Sequence, residues 1–133
     1  MAVKLFTPPT LPARGYSQVC EVTKGKLILF AGQVPHDVND KLVGAGDFDA
    51  QVEQVFQNLG RALEGVGGSF KNLVKINNYC VETVSYEVRA NYRVIRDRYI
   101  DTTKPPVSTF IYVPRLAQPT WLFEMDAMAV IDG

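Results

Sequence analysis

Val52, Val55, Phe56, Leu59, Leu63 and Val66 recur at spacings of three and four, the period of one face of an α-helix. Gln51, Glu53, Gln54, Gln57, Asn58 and Arg61 fill the other face, which predicts an amphipathic helix with one side in water. Asp47 or Asp49 supplies its N-cap, and Gly65, Gly67 and Gly68 mark its end, with Gly60 tolerated inside. A second stripe, Val88, Tyr92, Ile95 and Tyr99, predicts another helix that opens near Ser85 and stops before Pro105. Elsewhere the pattern is that of strands. Tyr16 to Val22 alternates, Thr23-Lys24-Gly25-Lys26 supplies a turn, and Leu27-Ile28-Leu29-Phe30-Ala31 returns as the hairpin partner. That return strand is apolar at every position, which predicts burial on both faces. Leu73 to Glu82, Val107 to Val113 and Trp121 to Val130 complete the set, the middle one bounded by Pro106 and Pro114. Residues 36–46 read as a loop with a short strand at Leu42-Val43, and the proline-rich first dozen residues as an extended lead-in over the surface.

The order strand, strand, helix, strand, helix, strand, strand describes a small α+β sandwich in which each helix buries its stripe against a sheet. If both helices share one side, the other sheet face is left open, and oligomerisation is the natural way to cover it. Length agrees with one domain spanning residues 1–133, since 133 residues with 47% hydrophobic and 21% charged positions support one core. Fourteen basic residues balance fourteen acidic ones, so no global field draws the chain to nucleic acid or to an anionic membrane. No segment approaches a membrane span, and Met1 to Pro9 lacks the apolar stretch of a signal peptide, which predicts a cytoplasmic protein. Cys20 and Cys80 have no CxxC partner and read as packing thiols.

Candidate chemistry is concentrated in the last strand. Glu124 and Asp126 stand two residues apart and share a face, and an ionised carboxylate is expensive to bury without a partner. They occupy either the solvated side of an edge strand or a lined cleft. His36 is the sole histidine, too little for a zinc site and far in sequence from Ser108 and Thr109, which therefore lack the base a nucleophilic serine needs. The glycines at 44, 46, 65, 67 and 68 form neither a GxGxxG nor a P-loop arrangement, so no nucleotide site is predicted.

Four segments together resemble the RidA proteins, also called the YjgF family. They are Gly15-Tyr16-Ser17-Gln18, the turn Phe30-Ala31-Gly32-Gln33-Val34-Pro35, Gln51 through Gly68 with Asn58-Leu59 at its centre, and Pro106 through Ala129 with Arg115-Leu116 and Glu124. The resemblance implies a chorismate-mutase-like sandwich: a mixed, mainly antiparallel sheet with two helices on one face. It further implies a homotrimer with a ligand cleft between neighbouring subunits. It also implies cofactor-free hydrolysis of reactive imines and enamines and a small-molecule ligand. Carried over by position, Glu124 corresponds to the residue that holds and activates water, and Tyr16, Gly32 and Asn91 to ligand-binding groups. Ser108 falls where the family's carboxylate-binding arginine stands, and Phe110 where a cysteine is common.

A serine offers one neutral donor where a guanidinium offers a parallel, charged pair, so the resemblance describes an arginine-lacking branch whose ligand is neutral or differently charged. Arg14 and Arg115 lie close in sequence to the cleft segments, as surface residues or as substitutes for the lost cation. Two further readings stay open beside the deaminase: a non-catalytic ligand sensor or interaction protein on the same trimer and, more weakly, the endoribonuclease activity attributed to some relatives.

Overall fold

The valine and leucine stripe of the first long helix fixes the layer arrangement. In the computed structural model, which describes residues 2–131, helix α1 runs Phe48–Gly65 and buries Val52, Val55, Phe56, Leu59 and Leu63 completely. Each such side chain contributes roughly 1.5–3 kcal/mol through removal from water. The Asp47 carboxylate caps the helix by accepting from the Ala50 N–H at 3.1 Å. The stripe packs on one face of a four-stranded sheet of order β3 (Lys26–Gln33), β6 (Phe123–Ile131), β4 (Leu73–Val81), β5 (Val107–Val113). β6 runs antiparallel to both its neighbours, and β4 pairs with β5 in parallel, the strand order the long helical crossover between them allows. The helix-side layer of the sheet includes Ile76, Cys80, Phe123, Met125, Ala127 and Ala129, all buried. This is the chorismate-mutase-like α+β sandwich, with its helices on one face.

The strand predicted across 107–113 is found there, because prolines at each end leave its ladder no room to extend. The predicted hairpin is not found. A short strand β1 (Val3–Phe6) inside the expected lead-in pairs antiparallel with β2 (Val19–Val22), and the Thr23 N–H donates to the Ala2 carbonyl at 2.8 Å to close that ladder. β3 leaves this pair and joins β6 in the larger sheet. Alternation specifies a strand's faces but not which partner it takes, and β6 offers the longer apolar ladder. β3 is consequently an edge strand: Ile28 and Phe30 pack on the core while Leu27 and Leu29 are 62% and 66% exposed, against the expectation of burial on both faces.

The second helix is shorter than its stripe suggests. It consists of α2 (Tyr86–Arg89) and α3 (Asn91–Arg96), joined at Ala90, whose backbone stays helical, and tight turns follow to Ile100. Tyr92, Ile95 and Ile100 are buried and Tyr99 packs on the core, but Val88 is exposed. Leu42-Val43 makes only an isolated bridge between His36 and Leu42. No helix among the described residues is long and apolar enough to cross a membrane.

Candidate functional site

Glu124 and Asp126 do not lie on an edge strand. β6 sits between β3 and β4, and because Phe123 and Met125 point into the helix layer, the two carboxylates project from the opposite, open face. Asp126 is fully engaged there: its carboxylate accepts from Asn77 Nδ2 at 2.8 Å and from the Tyr79 hydroxyl at 2.7 Å. The Asp126 bond, with burial behind it, pushes the Tyr79 phenol up to about 12, so it remains a donor. Glu124 takes neither bond. Burial raises its pKa from the ordinary carboxylate value and the Asp126 charge adds to the shift, the direction that favours taking up a proton. Gly32 lies directly against it: a methyl group built on Gly32 would collide with the Glu124 carboxylate.

The loops on either side of this contact are held by the polar edge of α1, which is not in water as its pattern predicted. Gln51 and Gln54 are buried. Asn58 Nδ2 donates to the Val34 and His36 carbonyls at 2.9 and 2.8 Å, fixing the chain just after Gly32. Gln51 donates to the carbonyls of Gly44 and Thr120 and accepts from the Leu122 N–H at 2.8 Å, fixing the chain just before Phe123. These amides position the chain segments that carry Gly32 and Glu124. The signal that would have found them is their place at the border of the apolar stripe, where a glutamine satisfies loop carbonyls that would otherwise be buried unpaired. His36 is a structural part of the same assembly: Nδ1 pairs with Asp40 Oδ1 at 2.9 Å and Nε2 accepts from Trp121 Nε1 at 2.9 Å. Among the described residues, no three His, Cys, Asp or Glu side chains gather as a metal set.

Ser108, Phe110 and Tyr16 meet elsewhere, around a cavity of about 800 Å³. The Ser17 hydroxyl donates to the Pro105 carbonyl at 2.6 Å and the Ser17 N–H to that of Pro106 at 3.3 Å, which lays the Arg14 to Tyr16 segment along the start of β5. Ser108 pairs in register with Ile76 and Phe110 with Asn78, so both share the helix side of the sheet. Ser108 Oγ accepts from Asn78 Nδ2 at 3.1 Å, and Asn78 Oδ1 accepts from the Tyr92 hydroxyl at 2.6 Å. Burial pushes the Tyr92 phenol far up, which keeps it the donor in that chain.

The cavity is strongly basic, and of the two arginines considered as substitutes for the lost cation it takes Arg14. Arg14, Arg89, Arg93 and Arg96 all line it. Arg89 lies with its guanidinium 4.5 Å from the centre of the Phe110 ring, and Arg96, only 5% exposed, pairs with Asp97 through Nε at 2.9 Å and Nη2 at 2.8 Å. The position held by Ser108 lacks the arginine, while α2 and α3 supply several to the same space. Residues 89, 93 and 96 are spaced four and three apart, one face of a helix, and that spacing is visible in the sequence. Arg115 is exposed and its Nε bonds only the neighbouring Leu116 carbonyl, at 3.4 Å.

Within one subunit the six sequence-predicted residues therefore occupy three places. Gly32 and Glu124 are together on the open face; Tyr16, Ser108 and Phe110 are together around the basic cavity. Asn91, which the resemblance counts among the ligand-binding groups, belongs to neither: it is exposed, and its amide donates to both carboxylate oxygens of Asp49 at 3.1 Å. On this helix Tyr92 and Ile95 take the inward positions, which turns residue 91 toward the start of α1.

Comparison with known proteins gives a consistent picture. The model of a family described as Endoribonuclease L-PSP matches residues 8–131. The protein DfrA of Myxococcus xanthus is 30% identical over 86% of this chain and 84% of its own length. A RutC family protein of Pyrococcus abyssi is 30% identical over 89% of this chain and 87% of its own. Among solved structures, YyfB of Yersinia pestis, described as a protein of unknown function of the conserved Rid family, superposes with a TM-score of 0.84 at 29% identity. That match covers 98% of this chain and all of that one. Yeast Mmf1 superposes with a TM-score of 0.70 at 26% identity, over 96% of this chain and 94% of its own.

Proposed function

The chain belongs to the Endoribonuclease L-PSP family, within the RidA/YjgF group, and from that membership we propose that it binds a small imine or enamine metabolite and hydrolyses it to a carbonyl compound and ammonia without a cofactor. The observation that carries the proposal is the contact of Glu124 with Gly32 on the open sheet face, where burial raises the carboxyl pKa and no described residue donates to it. Glu124 takes a proton from water as the oxygen adds to the C=N carbon. The same carboxyl returns that proton to the nitrogen, giving a carbinolamine, and then relays the remaining hydroxyl proton to the nitrogen, which leaves as ammonia while the C=O bond forms. An enamine enters the same course after protonation at carbon gives its imine.

The proposed assembly is a homotrimer with three intersubunit clefts. It is supported by the placement of the two half-sites on opposite faces of one sheet, which only a neighbouring copy can bring together, and by the exposed Leu27 and Leu29 on the face that needs covering. In such a cleft Ser108 and the arginines of one subunit bind the ligand and Glu124 of the next acts on it. The arginines remove the objection that a 2-imino acid would find no cation to hold its carboxylate.

Ammonia release from 2-aminoacrylate generated in place, and from a panel of imines with and without a carboxylate, tests the reading. Acceleration that Glu124→Gln removes is the expected result. Ligand-dependent stabilisation with no turnover on any substrate overturns it in favour of a sensor built on the same cleft.

A further inference from the structure

We propose that the arginine cavity selects ligands bearing a dianionic group, a phosphate ester or a second carboxylate, and that Arg89 and Arg93 are its principal binding residues. The inference rests on the reading of this cavity as the binding half of the site, and not on turnover. Charge is the first argument. The chain as a whole is neutral, with fourteen basic and fourteen acidic residues, yet Arg14, Arg89, Arg93 and Arg96 line one space and only Asp97 offsets them. Among the described residues no carboxylate lies within ion-pair distance of Arg14, Arg89 or Arg93. A single carboxylate carries one charge and fills the paired donors of one guanidinium, so several unpaired guanidiniums call for more negative charge than a simple 2-imino acid brings.

Geometry is the second argument. Arginines that merely share a surface would splay into solvent. Here Arg89 is held between rings, 4.5 Å from the Phe110 centre and 5.6 Å from that of Tyr86, and its Nε is buried with no hydrogen-bond partner. That orphan N–H marks a place for an acceptor oxygen. Arg93 and Arg96 converge on Gly15: a Cβ there would lie 2.5 Å from Arg93 Nη2 and 2.9 Å from Arg96 Nη2. Glycine at 15 thus lets two guanidiniums close over the loop that carries Tyr16, with the Ser108 and Thr109 side of β5 completing the cavity. Phosphate and dicarboxylate share the chemistry that fits, an array of oxygens with two charges.

Titration calorimetry at constant ionic strength and pH 8, with inorganic phosphate, succinate and propionate as probes, tests the inference on the assembled protein. Phosphate or succinate should bind at least about tenfold more tightly than propionate, as expected when a second charge-assisted set of bonds is made. The stronger of the two probes identifies the class. Arg89→Gln and Arg93→Gln should each weaken that binding about tenfold, Arg93 being exposed enough that its variant tests binding without a folding defect, while Arg115→Gln should leave it unchanged. Equal binding of propionate, or no binding of any probe, overturns the proposal. So does an arginine variant that falls to monomers, since the arginines would then serve to pair with acids of a neighbouring copy. The wild-type protein separates the two readings: dianion binding without ammonia release from any substrate leaves this inference standing and removes the deaminase, and turnover without dianion preference does the reverse.

Discussion

The two sides of the sheet carry opposite charge and fix it by different means. On the open face, Asn77 and Tyr79 hold Asp126 by direct hydrogen bonds and leave Glu124 to respond to its surroundings. On the helix side, aromatic rings back Arg89 and Arg96, with Asp97 as the single acidic partner. A carboxylate on a central strand is placed by the backbone register, whereas a long arginine on a short helix is placed only by what packs against its stem and plane. The first arrangement suits a proton-transfer group that must not move; the second suits a binding surface that can adjust to its ligand. The sharpest way to break this comparison is at Glu124. Glu124→Gln keeps shape and register but cannot take a proton, and ammonia release should fall roughly a hundredfold to ten-thousandfold, the range spanned by general acid–base groups. Gly32→Ala should approach the same loss, because its methyl group occupies the carboxylate's space. Dianion binding in the arginine cavity should survive both changes.

Whether the two half-sites are independently supported is tested next by Asn58→Ala. The Asn58 amide satisfies the Val34 and His36 carbonyls, and its loss leaves acceptors under the loop that carries Gly32. Urea denaturation should show a loss of about 1–3 kcal/mol, and turnover should fall with it. The arginine cavity receives nothing from Asn58 and should bind phosphate or succinate as before.

Legibility followed the same division. The stripe Val52 to Leu63, the proline-bounded strand 107–113 and the alternation of β6 were plain because period and breakers are local signals. The pairing of β2 with β1 was not, since alternation is silent about partners. At the site, Glu124 stood out because a carboxylate inside an apolar strand conflicts with its context. Arg89, Arg93 and Arg96 did not, because charged residues on a helix read as a solvated face, and nothing local announces that Phe110, Gly15 and Tyr92 receive them. Gln51 and Gln54 were missed for the same reason. Asn91 and Arg89 differ by two positions, which on a helix is half a turn, enough to exchange the side that meets α1 for the side that meets the cavity.

Tyr79→Phe probes the bonded half of the acidic pair. It removes one of the two donors to Asp126 and keeps the ring, so the expected loss is about 1 kcal/mol in urea denaturation, with Asn77 still in place. A loss of that size with turnover largely intact would confine Asp126 to a structural part. A collapse of turnover would show that Asp126 and Glu124 act as one unit and would erase the distinction drawn between them.

The smallest effect expected is on stability against pH, and its sign is informative. The Glu124 pKa is raised in the folded protein by burial and then by Asp126, so the folded state holds this proton more tightly than the unfolded chain does. Stability from this group is therefore fully present below its ordinary value of 4.5 and declines as pH rises through the raised folded value, after which it is constant. Glutamine cannot ionise and escapes that decline. Glu124→Gln should thus melt slightly above the wild type at pH 8, by an amount limited by solvent screening of a half-exposed group, and the difference should close below pH 4.5. A higher melting temperature together with lost turnover is what a carboxylate kept for chemistry predicts, because its ionised form is disfavoured by the fold that holds it. A variant less stable than the wild type at pH 8 would instead make Glu124 a structural acid with an unrecognised donor, and the open face would then resemble Asp126 throughout.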